Sequence, residues 1–188
     1  MDLVLTDPPY NISKGYGEYV DQREDYAAWC WAWLRECLRV SRCVLLTPGT
    51  PNLKQYMTYE VAPDWVHCWY KPNATMGGKS RWVNVWEPVL RYGGKWGHFH
   101  DSLNLSIGRQ RDTGNHPCPK PIKWAEWCVT ACSKENELIL DPFLGSGTTL
   151  VAAQRLGRRA IGVEIDEAYC EIAAKRLSQD VLPLEAAV

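Results

Sequence analysis

The sequence has no apolar run long enough to cross a bilayer, and Met1 is followed at once by Asp2. Neither a membrane helix nor a secretory leader is predicted, and a cytoplasmic protein without membrane contact is the expectation. The eight cysteines include no C-x-x-C pair, which argues against a metal site of zinc spacing. Cys30, Cys37, Cys43, Cys68, Cys118, Cys128, Cys132 and Cys170 are instead expected to be buried thiols acting as small hydrophobes. There is no internal repeat and no low-complexity stretch. Charge of one sign is lacking too: the net value of −1 gives no global attraction to a polyanion.

The distribution of charge is less even than its sum. Between Lys71 and Lys120 stand eight basic residues (Lys71, Lys79, Arg81, Arg91, Lys95, Arg109, Arg111, Lys120) against Glu87, Asp101 and Asp112, a local net of +5. Such a region is either a polyanion-facing surface or a loop-rich segment that happens to be basic. At 188 residues, 46% of them hydrophobic and 23% charged, the chain suits one domain over 1–188.

Hydrophobic patterning alternates strands and helices. Strands are predicted at Leu3–Thr6, Cys43–Thr47, Trp65–Tyr70, Glu87–Tyr92, Leu138–Leu140 and Ala160–Glu164. Helices are predicted over Asp25–Val40, Leu53–Val61, Pro121–Cys132, Leu150–Leu156 (closed by Gly157) and Glu167–Leu177. In the first helix Ala28, Trp31, Leu34 and Leu38 form the apolar stripe. Residues 73–115, rich in glycine, tryptophan and basic side chains, look largely irregular, and a loop region this long in a compact domain is usually functional. This order predicts an α/β fold with a mostly parallel sheet.

Two segments carry chemistry. Leu138–Leu140 runs into Asp141-Pro142-Phe143-Leu144-Gly145-Ser146-Gly147-Thr148-Thr149, then a helix, then a strand ending at Glu164. Glycines at 145 and 147 let a ligand reach backbone, and an acid at the next strand's end suits a ribose. A phosphate-binding loop would carry lysine where Thr148 stands, and a dinucleotide fingerprint would carry glycine where Leu150 stands. The ligand expected is therefore a nucleoside without pyrophosphate. The second segment, Asp7-Pro8-Pro9-Tyr10, follows the first strand. Two prolines stiffen it and offer no N–H, so Asp7 and the Pro8 carbonyl form a pair of acceptors beside an aromatic ring. That set suits the NH2 group of a planar base; the plainer reading is a proline turn with a capping aspartate.

Together these segments resemble the DNA amino-methyltransferases. Asp7-Pro8-Pro9-Tyr10 is similar to their catalytic motif and the 141–149 segment to their cofactor motif; the order, catalytic motif first, resembles the permuted β class. His116-Pro117-Cys118-Pro119-Lys120-Pro121 is similar to the family's H-P-x-x-K-P element, with Cys118 and Pro119 as unusual fillings, and Trp69-Tyr70-Lys71-Pro72 resembles the strand before its recognition region. The resemblance implies a Rossmann-like methyltransferase fold, helices on both faces of the sheet, with an inserted target-recognition region at about 73–115. It implies S-adenosylmethionine as cofactor, held by His116, Lys120, Pro121, Asp141, Pro142, Phe143, Gly145, Ser146, Gly147, Thr148, Thr149 and Glu164, with Lys120 at the methionine carboxylate.

It further implies double-stranded DNA as partner, met by Lys79, Arg81, Arg91, Lys95, Arg109 and Arg111 and by the aromatic residues Trp82, Trp86, Tyr92 and Trp96. A homodimer or a specificity subunit, and a restriction-modification setting, go with the family. The reaction implied is methylation of a flipped base, Tyr10 stacking on it while Asp7 and the Pro8 carbonyl accept the amino hydrogens. Aspartate at position 7 goes mainly with adenine N6 in this family and serine with cytosine N4. Family members carry an upstream segment with a Gly-Asp element near the adenine; the sequence given starts six residues before Asp7, so the expectation is an adenine pocket closed differently or a shortened, non-catalytic DNA-binding relative.

Overall fold

The computed structural model describes residues 1–13, 15–16, 19–74, 83–95, 100–108 and 119–179. Nine strands and five helices are assigned among them. The strands are β1 (Leu3–Thr6), β2 (Gly15–Tyr16), β3 (Tyr19–Val20), β4 (Cys43–Leu46), β5 (Trp65–Tyr70), β6 (Trp86–Gly93), β7 (Ser102–Asn104), β8 (Leu138–Asp141) and β9 (Arg159–Gly162). The helices are α1 (Tyr26–Val40), α2 (Leu53–Met57), α3 (Ile122–Cys132), α4 (Thr148–Arg155) and α5 (Glu167–Gln179). Seven strands form one sheet in the order β7-β5-β6-β4-β1-β8-β9, in which only β6 runs antiparallel to its neighbours. No described helix is long and apolar enough to cross a membrane.

The sheet is covered on both faces, which explains why its central strands read as unbroken apolar runs. Side chains alternate along β1 and β4. Leu3, Leu5, Cys43 and Leu45 pack with Trp124, Ala125, Cys128 and Val129 of α3 and with Ala152 and Ala153 of α4. Val4, Val44 and Leu46 pack on the other face with Tyr26, Cys30, Leu34 and Cys37 of α1 and with Tyr56 of α2. This is the Rossmann-like α/β arrangement expected from the sequence.

Several expectations need correction. The buried stripe of α1 is Tyr26, Cys30, Leu34 and Cys37, whereas Ala28 is exposed. The small thiols sit where helix and sheet approach closely and the bulky tryptophans flank them. The helix predicted at Leu53–Val61 ends at Met57, where the Thr58 N–H and hydroxyl both bond the Gln55 carbonyl. α4 begins at Thr148, two residues early, because Gly147 takes a left-handed φ of 85° at its N-cap against Ala173. Residues 73–115 are no simple insertion: β6 lies inside the sheet and β7 extends it. Among the cysteines, Cys170 is exposed and Cys68 only half-buried, and Cys118 lies outside the described residues.

Candidate active site

β1 and β8 are adjacent and parallel, so the loops leaving their C-terminal ends lie side by side at one edge of the sheet. The two chemical segments of the sequence are those loops. They share a cavity of about 590 Å³ whose wall includes Asp7 and Pro9 from one loop, Phe143, Gly145, Ser146 and Thr148 from the other, and Glu164 beyond β9.

The loop after β1 is held from behind. Buried Asp21 accepts the N–H groups of Tyr10 and Ile12 at 3.2 and 3.3 Å. Asn11 exchanges hydrogen bonds with the backbone of Arg23, the Tyr26 hydroxyl donates to the Pro9 carbonyl at 2.8 Å, and Asn52 Nδ2 donates to the carbonyls of Tyr10 and Pro48. The Tyr10 ring lies on Gly49, whose φ is 68° and whose missing side chain leaves the ring its place. Pro8 is buried and carries the loop between β1 and this scaffold.

Asp7 stands at the centre of a network. Its Oδ1 accepts from the Tyr10 hydroxyl at 2.5 Å and from the Thr47 hydroxyl, and its Oδ2 lies 2.7 Å from Lys120 Nζ. Lys120 Nζ also donates to the Tyr10 hydroxyl at 3.1 Å and lies 3.3 Å from Glu87 Oε2; Glu87 Oε1 pairs with Lys71 Nζ at 2.7 Å. Burial by itself would raise the Glu87 carboxyl and lower the Lys120 ammonium. The opposite charges overcome both effects: Lys120 and Lys71 hold Glu87 low, and Asp7, with Tyr10 and Glu87, holds Lys120 well above the usual lysine range. Burial, followed by the Asp7 charge, raises the Tyr10 phenol well above its ordinary value, so it remains a donor.

The loop after β8 is equally supported. Asp141 is buried, accepts the Thr6 hydroxyl at 2.8 Å and the Phe143 N–H at 3.1 Å, and burial lifts its carboxyl to about 6 against the hydrogen bonds from Thr149 and Thr6. Glu164 Oε2 accepts the Gly145 N–H at 2.7 Å, and its Oε1 accepts those of Ile165 and Asp166. Buried Arg176 donates to the Ser146 carbonyl, fixing the turn before Gly147. Pro142 and Asp166 join the wall, Phe143 packs edge-on to Trp29 and Trp33, and Trp29 with Arg23 over its ring lines the same space. Trp124 also lines it, with an indole N–H that finds no partner among the described residues.

The structure thus brings together Asp7, Pro9, Tyr10, Lys120, Asp141, Pro142, Phe143, Gly145, Ser146, Thr148, Thr149 and Glu164. Pro121 is the N-cap of α3 and Gly147 that of α4. His116, Lys79, Arg81, Arg109, Arg111, Trp82 and Trp96 lie outside the described residues. Arg91 does not join the site. It pairs with Leu45 and Trp65 in the sheet, and its Nη1 donates to the carbonyls of Gly93 and Gly94, beside Cys43 at the edge opposite Asp7. Lys95 is exposed just beyond that end of β6. Tyr92 is a core residue at 2% exposure and cannot face a partner. Lys71 and Lys120, counted in the basic segment, face the partly buried acids Glu87 and Asp7. Lys120 is engaged by Asp7 and Glu87.

Sequence reasoning missed Glu87, Thr47, Asp21 and Asn52. Glu87 had one signal, an acid opening an apolar strand inside a basic segment. The others lie outside any recognisable motif, and Thr47 and Asn52 meet Asp7 and Tyr10 from about forty residues away.

The profile of the DNA methylase family, N6/N4 type, matches residues 65–175. M2.LlaDCHI, a type II methyltransferase of Lactococcus lactis subsp. cremoris, is 52% identical over 76 residues, 40% of this chain and 28% of the relative. M.HpaI, a type II methyltransferase of Haemophilus parainfluenzae, is 28% identical over 220 residues, 96% of this chain and 69% of the relative. The crystal structure of the M1.HpyAVI–SAM complex superposes with a TM-score of 0.72 at 21% identity, covering 94% of this chain and 88% of that one. The PvuII DNA methyltransferase, titled cytosine-N4-specific, gives 0.74 at 19%, covering 97% and 81%. These two structures share the fold. Because the profile spans more than half of the 188 residues, the chain belongs to the N6/N4 DNA methylase family.

Proposed function

We propose that this protein transfers a methyl group from S-adenosylmethionine to the exocyclic amino group of a base in double-stranded DNA, adenine N6 in particular. The observation that supports it is the single cavity joining Asp7 of one loop to Phe143, Gly145 and Glu164 of the other. The cavity suits the cofactor: it has aromatic walls at Phe143 and Trp29, carboxylates at Glu164 and Asp166, an unpartnered indole N–H at Trp124, and no lysine in the glycine turn. When bound, S-adenosylmethionine supplies an electrophilic methyl group on a sulfonium.

Phe143 and residues 145–149 would lie along the cofactor and Glu164 at its ribose, with Asp141, Pro142, Pro121 and His116 around them. The amino nitrogen of a paired base is inaccessible, so the base is flipped out at a cost of roughly a few kcal/mol, offset by stacking and hydrogen bonds in the pocket. Tyr10 offers the ring. Asp7 and the Pro8 carbonyl accept the amino hydrogens, which orients the nitrogen lone pair and stabilises the positive charge growing on nitrogen. Residues from 73 to 115 outside β6 and β7 are the proposed recognition region, with Lys79, Arg81, Arg109 and Arg111 at phosphates.

Aspartate at position 7 supports adenine; the likeness in fold to the cytosine-N4-specific PvuII enzyme favours the second reading, cytosine N4. The experiment is incubation with labelled S-adenosylmethionine and unmethylated duplex DNA or RNA, followed by nucleoside mass spectrometry. N6-methyladenine in DNA is expected. N4-methylcytosine would transfer the assignment to cytosine, label in RNA alone would reject DNA as substrate, and no label in either, with DNA binding intact, would reject catalysis.

A further inference from the structure

We infer that Glu87 is a positioning residue for methyl transfer, acting through Lys120 by balancing the ammonium charge that Lys120 places beside Asp7; the inference rests on the activity proposed above. Asp7 cannot act as an isolated carboxylate. Its Oδ1 already takes two hydroxyl donors, and Oδ2 takes Lys120, leaving one acceptor position on Oδ2 for an amino hydrogen. During transfer the nitrogen lone pair forms the N–CH3 bond while the C–S bond breaks, its electron pair leaving with sulfur. Nitrogen becomes cationic until it releases a proton to water. A lysine ammonium 2.7 Å from the accepting carboxylate opposes that charge.

Glu87 removes the conflict. Its two oxygens lie 2.7 Å from Lys71 and 3.3 Å from Lys120, so Lys71, Glu87, Lys120 and Asp7 alternate in sign along one chain of contacts. Two carboxylates and two ammoniums sum to zero. Side-chain exposures of 7% for Lys71, 16% for Glu87, 10% for Lys120 and 26% for Asp7 mean that water screens the set only in part. Without the Glu87 charge the same set carries +1 next to the reacting nitrogen. Lys120 itself remains needed to orient Asp7, 2.7 Å away, so the balance is achieved by a counter-charge on β6 rather than by omitting the lysine.

The test measures single-turnover transfer from tritiated S-adenosylmethionine to unmethylated duplex DNA, with thermal unfolding alongside. Glu87→Gln should slow transfer by about tenfold when Lys120 is present and by less than about twofold in a Lys120→Gln background. Its effect on Tm should be at least as large with Lys120 present, where Lys71 and Lys120 both lose a partner, as in the Lys120→Gln background, where Lys71 alone does. Glu87→Asp, which keeps the charge, should restore the rate to within about threefold of wild type while lowering Tm like Glu87→Gln; this comparison decides the matter even where Lys120→Gln abolishes turnover. Equal rate losses in the two backgrounds, or a Glu87→Asp variant as slow as Glu87→Gln, would overturn the inference. An inactive wild type would instead overturn the proposed activity and this inference with it.

Discussion

The Thr6 hydroxyl donates to Asp141 Oδ1 across 2.8 Å, tying the last residue of β1 to the last residue of β8. The loops that follow those two residues form opposite walls of one cavity, so this buried bond sets their spacing. Burial of Asp141 works against this bond and lifts its carboxyl to about 6.

Burial raises Asp141 from its ordinary 3.8 to about 6. Below 3.8 it is protonated both folded and unfolded. Between 3.8 and 6 the unfolded chain has lost the proton and the folded chain keeps it, so stability falls as pH rises through this window. Relative to Asp141→Asn, wild type should lose about 2 kcal/mol of unfolding free energy between pH 4 and pH 7. Denaturant unfolding at several pH values checks this, and a constant difference would contradict the assigned shift.

Asp7→Ala should reduce methyl transfer by at least about a hundredfold, because it removes the acceptor for the amino group. Lys120 retains Glu87 as a partner in this variant, so the fold and the cavity are expected to persist. Cofactor affinity, read by calorimetry, should change by less than about threefold. A collapse of affinity would show that Asp7 serves binding rather than chemistry.

Gly49→Ala should impair catalysis by moving Tyr10. A Cβ at position 49 falls 2.8 Å from Tyr10 Cδ2, and the φ of 68° adds about 1 kcal/mol of strain for any side chain. The expected result is a lower Tm together with slower transfer at saturating cofactor. Unchanged transfer would mean that the ring position is not critical.

Arg91→Gln should leave the salt dependence of DNA binding unchanged. A phosphate contact contributes a slope of about one in log affinity against log salt, and the Arg91 guanidinium is spent on the Gly93 and Gly94 carbonyls. Tm should fall instead. Fluorescence anisotropy titrations at three salt concentrations measure the slope, and a drop near one would restore Arg91 to the DNA surface.

The pattern of residues read well where one physical rule governs a short stretch. β5 at Trp65–Tyr70 matches its expected bounds, and Pro8, Pro9, Pro48 and Gly49 mark where β1 and β4 stop. Element ends read less well where contacts distant in sequence decide them. Val163 was assigned to a strand, but β9 ends at Gly162, and the Val163 carbonyl instead takes the N–H of Leu144 from the loop after β8. The charge count between Lys71 and Lys120 could not show that Lys71 and Lys120 are each paired with an acid, because counting ignores the direction each side chain takes.

By itself the amino-acid sequence determined the alternation of strands and helices, the two loops with their prolines and glycines, and the family resemblance, because each depends on local conformational rules or on a contiguous motif. Tertiary structure alone decided that Asp7, Tyr10, Thr47, Glu87 and Lys120 form one partly buried network. Ionic and hydrogen-bonding energies depend on distance in space, and the sheet brings residues of the loop after β1, of β6 and of the turn before α3 within 2.5–3.3 Å of one another. Asp7-Pro8-Pro9-Tyr10 could be recognised one residue after another, whereas the counter-charge that makes Lys120 tolerable beside Asp7 became visible only when β6 was seen to run back through the sheet.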